Sequence, residues 1–340
     1  EQGNSPSAAW GRVRLIIKGL QSNGIDADVY PIKTPFGLNK LLRPFILLWQ
    51  VICLYFDLFW DKENIIVSYG FNYTWFLFFL PHRAKIYVER NEYPNFLIRG
   101  AKRHSLFEFS PLKRVNGFIT CTYSLKNFYS QYCPNSCSFF ILPVIVDVNG
   151  FSRRMERVKK ITYCGDWGNN KDGVDILIKA FSMFHENHPG YKLELIGGST
   201  IQVENSLKQL AHDLGVDKYI DFVGRIPHEK MSGYLLSASV LALARPNNKQ
   251  AEGGFPCKVA EYLATGIPVV ITRVGDLPLY LKDHDNCYMA EPDSPEAFAT
   301  KLGESVDDPL ANQVGMNGHE LSKNFDYIVQ SNRLKDFLAL

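Results

Sequence analysis

Residues 252–261, Glu-Gly-Gly-Phe-Pro-Cys-Lys-Val-Ala-Glu, continue into Tyr-Leu-Ala-Thr-Gly-Ile-Pro-Val-Val at 262–270. A glycine-bearing loop opens into a short helix, roughly Cys257 to Thr265, and Gly266 and Pro268 stop that helix before the apolar run Val269–Thr272. Loop, helix, turn and buried parallel strand follow in order. Backbone N–H groups left free at a helix N-terminus suit a phosphate or diphosphate. Glu261 lies one turn in, where a carboxylate accepts from the vicinal hydroxyls of a ribose. Together these groups describe a nucleotide site.

Working outward, the chain alternates strand and helix patterns, which implies parallel sheets in an α/β protein. Towards the N-terminus, strands are expected at Ala27–Tyr30, Asn64–Ser68, Lys85–Glu89, Gly117–Cys121 and Ser138–Leu142. Gly3–Ser7 reads as the loop after a first strand that this sequence lacks, and Ala8–Asn23 as the helix that follows. Pro143 to Arg154 reads as a crossover. Beyond it, strands are expected at Lys160–Cys164, Tyr191–Gly197, Ile220–Val223 and Val240–Ala244, with helices at Val174–Glu186, Val203–Leu214, Met231–Ala238, Ser294–Glu304 and Phe325–Leu340. Asp283 to Pro292 reads as a turn.

With 340 residues the chain suits two domains. Its 46% hydrophobic and 21% charged residues are ordinary for a globular protein. A formal net charge of +2 gives no global electrostatic case for nucleic acid. Seven scattered cysteines, Cys53, Cys121, Cys133, Cys137, Cys164, Cys257 and Cys287, fit buried thiols in a reducing compartment better than a disulfide framework. Cys133 and Cys137 are close, but no second pair or histidine completes a zinc site. The expected location is the cytoplasm.

Asn39–Trp60 reads as a long helix, almost uninterruptedly apolar over Phe45–Phe56. Arg43, Gln50 and Asp57 keep it below a transmembrane span. Two readings stand: a helix buried between sheet and neighbours, or an amphipathic surface for the inner membrane leaflet. Tyr73–Leu80 and the basic residues Arg99, Lys102, Arg103, Lys113 and Arg114 favour a membrane-facing or lipid-acceptor side.

Phe255-Pro256, Glu261 and the Gly-Ile-Pro-Val-Val ending resemble the retaining glycosyltransferases of family 4, the glycosyl transferases group 1. Their GT-B fold has two facing Rossmann-like domains and a C-terminal helix that crosses back to the first. The resemblance implies an acceptor-binding domain at 1–152, a nucleotide-sugar-binding domain at 153–320 and the returning helix at 321–340. It also runs through the order of strand-end glycine motifs: Gly165, Gly197-Gly198, Gly224-Arg225-Ile226-Pro227 and Arg273-Val274-Gly275-Asp276.

By this resemblance Glu261 holds the ribose, Lys171 the diphosphate, the backbone near Arg225 and Ile226 the base, and Gly275 and Asp276 the donor side. Gly165, Gly253, Gly254, Phe255, Pro256 and Lys258 line the nucleotide. The donor-sugar glutamate falls at Glu252 if the additional glycine lets the loop bulge, since the family position itself holds Gly253. Asp166 replaces the arginine that normally touches the phosphates; beside a diphosphate it is repulsive unless it turns away. Arg245 either supplies that charge or forms a surface salt bridge. In the first domain a histidine normally follows the strand at Tyr87–Pro94, and here Glu89 or Arg90 occupies the region, to orient a substrate or to form a structural ion pair.

The resemblance implies transfer of a sugar from a UDP- or GDP-sugar to a glycan or lipid-linked acceptor, in bacterial surface polysaccharide synthesis, with the inner membrane as a peripheral contact. The resemblance implies that the lysine and the helix amides carry the diphosphate charge, so neither metal nor cofactor is expected. Two other readings remain: a non-catalytic scaffold relative, supported by Asp166 and the missing histidine, and a sugar-nucleotide epimerase, for which the cleft lacks acid/base histidines.

Overall fold

A computed structural model describes residues 8–29, 43–60, 65–69, 85–94, 97, 109–153, 155–168 and 171–340. The sequence expectations at Gly3–Ser7, Tyr30, Asn39–Leu42, Asn64, Tyr73–Leu80, Arg99, Lys102 and Arg103 lie outside the described residues. In the N-terminal half, helices α1 (Ala8–Ser22) and α2 (Arg43–Trp60) precede strands β1 (Ile65–Tyr69), β2 (Lys85–Arg90), β3 (Gly117–Thr120) and β4 (Ser138–Ile141), with α3 (Tyr123–Ser130) before β4. Among the described residues these strands form a four-stranded parallel sheet in the order β1-β2-β3-β4.

The C-terminal half runs β5 (Lys160–Asp166), α4 (Val174–Asn187), β6 (Lys192–Gly198), α5 (Ile201–Asp213), β7 (Ile220–Gly224), α6 (His228–Leu236) and β8 (Val240–Leu243). It continues through α7 (Lys249–Gly253), α8 (Cys257–Ala264), β9 (Val269–Thr272), β10 (Tyr288–Ala290), α9 (Pro295–Asp307), α10 (Ala311–Ser322) and α11 (Tyr327–Leu338). Its sheet is parallel and six-stranded, in the order β10-β9-β8-β5-β6-β7. The order reverses beside β5, so the loops after β5 and β8 flank a crevice at the carboxyl ends of the strands, where open α/β sheets take ligands. Strands β8 and β9 are buried throughout, as their continuous apolar runs require.

Several expectations are corrected. Residues 25–29 are not in a strand. Their polar groups are met locally: Ile25 N–H donates to Leu20 O, and Ala27 O accepts from Gln21 Nε2 at 2.9 Å. Residues 288–290 are a strand, too short to show alternation, and they pair with β9 rather than forming only a turn. Helix α10 carries two glycines and two asparagines, a poor helix composition. Packing makes it: Gly315 lies against the Gly266–Pro268 backbone, and Gly318 against Asn286 O and the Leu263 side chain.

The last helix returns to the first half of the chain. Helix α11 packs on α1, and Leu334, Leu338 and Phe337 join Tyr87, Ile119, Leu142 and Ile145 in a separate apolar cluster. Gly19 is the point of closest approach, because a Cβ there would overlap the Ser331 hydroxyl and come within 2.8 Å of Tyr327 O. Gly19→Leu should lower stability by about 2–3 kcal/mol in urea unfolding, through overpacking. Gly11→Ala on the same helix, where nothing lies within 4 Å of the new methyl, should be neutral or stabilising by up to ~1 kcal/mol.

Candidate functional site

Parallel strands place the loops after β5, β8 and β9 on one side of the sheet, and α8 starts among them. Pro256 is the N-cap of α8 and gives no side-chain cap bond, so the first turn meets the crevice without a side chain over it. Tyr262 locks the rotation of this helix: its hydroxyl accepts from Cys164 N–H at 2.7 Å, and its ring is fully buried. One residue earlier, Glu261 is thereby aimed at the crevice. It is half-buried and makes no hydrogen bond to the described residues. Burial pushes its carboxyl above the usual range, against the opposing pull of His228 and Lys258. His228 opens α6 and is exposed.

Beside it sits a buried charge cluster. Arg245 has no exposed surface, and its guanidinium donates through Nη1 to Gly254 O at 2.9 Å and through Nε to Lys171 O at 3.3 Å. The Asp172 carboxylate lies 3.9 Å from Arg245 Nε, receives Lys258 Nζ in a close ion pair, and lies 2.9 Å from the Tyr163 hydroxyl. Burial would raise the Asp172 carboxyl, but the Lys258 and Arg245 charges and the hydrogen bonds together bring it below its ordinary value. The surface salt bridge expected as one reading of Arg245 is therefore corrected: its ion pair with Asp172 is buried. Arg245 ties the loop after β5 to the loop before α8. Gly165 is required here, because Lys258 Nζ and the Tyr163 hydroxyl occupy the space a Cβ would take.

Asp166 resolves its own conflict. It is exposed, and its Oδ1 accepts from Gly168 N–H at 2.7 Å, which turns the carboxylate back onto its loop. Lys171 reaches the other way, 2.6 Å from Glu92 Oε1 in the first half of the chain. Arg225 is exposed and Ile226 half-buried after β7, with Arg225 beside Gly198.

The stretch 249–253 is helical rather than a loop, because the Asn248 side chain caps it by accepting from Ala251 N–H at 2.8 Å. This corrects the expectation that the Gly253-Gly254 amides are free: Gly254 N–H donates to Gln250 O. The two carbonyls are held as well, Gly253 O by the Thr122 hydroxyl at 2.9 Å and Gly254 O by Arg245. Gly253 has no room for a Cβ against the Tyr93 ring. Glu252 is bound by Lys249 at 2.8 Å and by the Tyr93 hydroxyl at 3.2 Å. Burial, with the Glu252 charge adding, raises the Tyr93 hydroxyl to about 12. Phe255 and Pro256 are buried, Phe255 against the rings of Tyr280 and Phe325.

Of the two readings left for Glu89, the structure shows the ion pair, while the placing of Asp276 on the donor side is corrected. Glu89 is a buried partner of Arg12 at 2.7 Å, and Arg12 also donates to Leu142 O and Pro143 O. Arg90 is buried too and donates to Glu89 O. Both contribute to holding the end of β2. Asp276 accepts from Tyr123 N–H at 2.6 Å, so it caps α3 across the two halves rather than facing a donor. Gly275, at φ 54°, presses against the backbone of Ala251 and Glu252. Sequence reading missed Asp172, Tyr163, Glu92 and Tyr93. The Lys171-Asp172-Gly173 triplet was the available signal for the first, whereas the others became visible only once the strands were paired.

Asp172→Ala leaves Lys258 and the buried Arg245 without their carboxylate and should cost about 3 kcal/mol at pH 7 by denaturant unfolding. Because the folded pKa of Asp172 is lowered, that contribution is present above the unfolded value of about 3.9 and is lost as pH falls through the folded value. Wild type and variant should therefore converge in stability in strong acid.

Comparison with known proteins agrees with this architecture. The chain is similar to the D-inositol 3-phosphate glycosyltransferase of Corynebacterium kroppenstedtii, 24% identical over 201 residues, 57% of this chain and 41% of that protein. It is also similar to the GDP-mannose-dependent alpha-(1-6)-phosphatidylinositol monomannoside mannosyltransferase of Mycolicibacterium smegmatis, 26% identical over 64% of this chain and 60% of the relative. The chain thus spans less than two thirds of these relatives' own length. Among solved structures, sucrose-phosphate synthase from Thermosynechococcus elongatus matches with a TM-score of 0.73 at 17% identity, covering 96% of this chain and 92% of that one. Anabaena HepE in complex with UDP and glucose matches with a TM-score of 0.71 at 14% identity, covering 100% of this chain and 98% of that one. The fold is GT-B, and residues 158–308 match the family model of the glycosyl transferases group 1.

Proposed function

We propose that the protein is a retaining glycosyltransferase that moves a sugar from a UDP- or GDP-sugar to a glycan or lipid-linked acceptor, in the synthesis of a bacterial surface polysaccharide. The observation that carries this reading is Glu261: a carboxylate raised by burial, without a hydrogen-bond partner in the described chain, beside Lys258 and the open first turn of α8. A half-buried carboxylate with no partner among the described residues costs stability and fits a ligand that supplies the missing donors. Ribose hydroxyls are such donors.

In this reading Glu261 holds the ribose, and Lys171, Lys258 and the first amides of α8 meet the diphosphate. Arg225 and Ile226 flank the base, and Glu252 with Gly275 meets the sugar. Gly165 makes room for Lys258. Arg245, Asp172 and Asp276 act as positioning residues. Residues 1–152 take the acceptor, 153–320 the donor, and 321–340 return to the first unit. As the bond from the anomeric carbon to the diphosphate breaks, its electron pair leaves with the phosphate oxygen. The positive groups stabilise that charge, and the acceptor oxygen bonds on the same face. No cofactor is assigned.

The names of the mannosyltransferase and inositol-phosphate relatives support the donor and acceptor classes. The engagement of Glu252 with Lys249 and Tyr93 favours the second reading, a non-catalytic nucleotide-binding relative. Thermal shifts with UDP, GDP, ADP and CMP separate the classes of donor. One nucleotide should stabilise the wild type, by roughly 2.7 kcal/mol at a hundred times its dissociation constant. The shift should vanish in Glu261→Ala, with loss of most transfer activity. Glu261→Gln should match or exceed wild-type stability at pH 7, because the raised pKa makes ionised Glu261 unfavourable in the folded state. Full activity in either variant would sink the assignment.

The membrane contact is part of the same proposal. On α2, Val51 and Leu54 face the core, while Phe45, at 69% exposure, and Trp49, at 65%, stand out with Leu48, Ile52, Tyr55 and Phe56 at helical spacing. None of the helices in the described residues is long and apolar enough to cross a membrane, and a stripe of this kind suits the interfacial layer, with the helix lying in the membrane plane. Flotation with anionic vesicles should recover the wild type. Phe45→Glu/Trp49→Glu should stay in the bottom fraction with its thermal midpoint unchanged.

A further inference from the structure

Two consecutive residues of the N-terminal half engage two side chains assigned above to the donor. Glu92 Oε1 lies 2.6 Å from Lys171 Nζ, and the Tyr93 hydroxyl donates to Glu252 Oε1 at 3.2 Å. The segment is held in place from behind. Tyr129 is buried, donates to Glu92 O at 3.0 Å and stacks on Phe118. The Tyr93 ring packs against Gly253, with the Lys249 ammonium 5.0 Å from its centroid. The carboxylate and the hydroxyl are thus presented on a short, anchored strand end.

We propose that Glu92 and Tyr93 are an internal stand-in for the donor, the Glu92 carboxylate occupying the phosphate position on Lys171 and the Tyr93 hydroxyl the sugar-hydroxyl position on Glu252. The proposal rests on the donor-site reading of Lys171 and Glu252. Its consequence is that Glu92 sets the affinity for the nucleotide diphosphate. A diphosphate oxygen bonded to Lys171 lies within roughly 6 Å of the Glu92 carboxylate, by the lengths of two charge-assisted hydrogen bonds. Like charges at that separation repel. Donor binding therefore breaks the Lys171–Glu92 pair and moves the carboxylate aside. The pair is about two-fifths exposed on both sides, so its strength is that of a surface ion pair and a ligand can displace it. When the pair opens, one of the contacts between this strand end and the second half is lost, which couples donor binding to the contact between the two halves.

The test is isothermal titration of the full chain with UDP and with GDP, in wild type, Glu92→Gln, Lys171→Met, Glu261→Ala and Glu186→Gln. Glu186 is exposed at the far end of α4 and controls for net charge. Glutamine keeps the shape of Glu92 and removes its charge. The expected result is that Glu92→Gln binds the preferred nucleotide about fivefold tighter than wild type, the upper range for an exposed ion pair. Glu186→Gln should be unchanged, and Lys171→Met should bind more weakly than wild type. Equal or weaker binding by Glu92→Gln, with Glu261→Ala still abolishing binding in the wild-type background, overturns the stand-in and leaves the donor site intact. Nucleotide binding that survives Glu261→Ala, or no binding of either nucleotide by wild type, overturns the donor-site reading and the stand-in with it.

Discussion

Arg245 carries a full positive charge into a place with no solvent, and the crevice is arranged around that constraint. A guanidinium there survives only if carboxylate and carbonyl oxygens surround it. Asp172 supplies the charge, and the carbonyls of Lys171 and Gly254 supply the fixed acceptors. The two carbonyls come from different loops, so holding one guanidinium brings the loop after β5 and the loop before α8 to a single geometry, while Nη2 finds no acceptor among the described residues. Lys258 joins through Asp172, and Gly165 and Tyr163 leave it just enough room. Lys258 is positioned by this buried network, whereas the Lys171 side chain is held by its half-exposed pair with Glu92.

A second set of contacts runs between the halves. Asp276 meets the amide of Tyr123, Thr122 meets the carbonyl of Gly253, and Tyr93 meets Glu252. Helix α3 therefore presents its N-terminus to the turn after β9 and its cap residue to the end of α7. With α11 packed on α1, the halves are joined both at the crevice and at the back. The contacts at the crevice include exposed charged groups, whereas those at the back are mainly apolar and buried, with one hydrogen bond from Ser331 to Ile16 O and Lys18 over the Tyr327 ring. Exposed ion pairs yield more readily to solvent and ligand than packed side chains do. The front of the molecule is the adjustable side.

Glu261 shows the cost of such a site. Its neighbours make bonds with one another, and Tyr262 fixes the helix, yet the carboxylate itself is left raised and without a partner among the described residues. Folded proteins hold few groups of this kind, and those they hold cluster where a ligand completes the bonding. The reverse holds at Glu89. A carboxylate at a strand end in the first half looks equivalent in sequence, but Arg12 and Asn91 use its oxygen, so it supports the strand.

Much of this was legible in the chain itself. The alternation of apolar runs with amphipathic stretches gave the parallel sheets, since a strand buried on both faces must be continuously apolar, as at Val240–Leu243 and Val269–Thr272. The glycine loop, the short helix and Glu261 could be read from spacing, because each rests on local geometry. Helix α10 could not: its composition is poor, and only contact with the Gly266–Pro268 backbone sustains it. Nor could the partners of charged residues. Whether Arg245 faced water, whether Asp166 faced a phosphate and whether Lys171 stood alone depended on groups far away in sequence, 79 positions away in the case of Glu92. Local pattern determined the elements and their order, because hydrogen bonding and apolar periodicity act over a few residues. The tertiary structure decided which charges were paired, because a buried or half-buried charge takes its state from whatever the fold brings within a few ångströms.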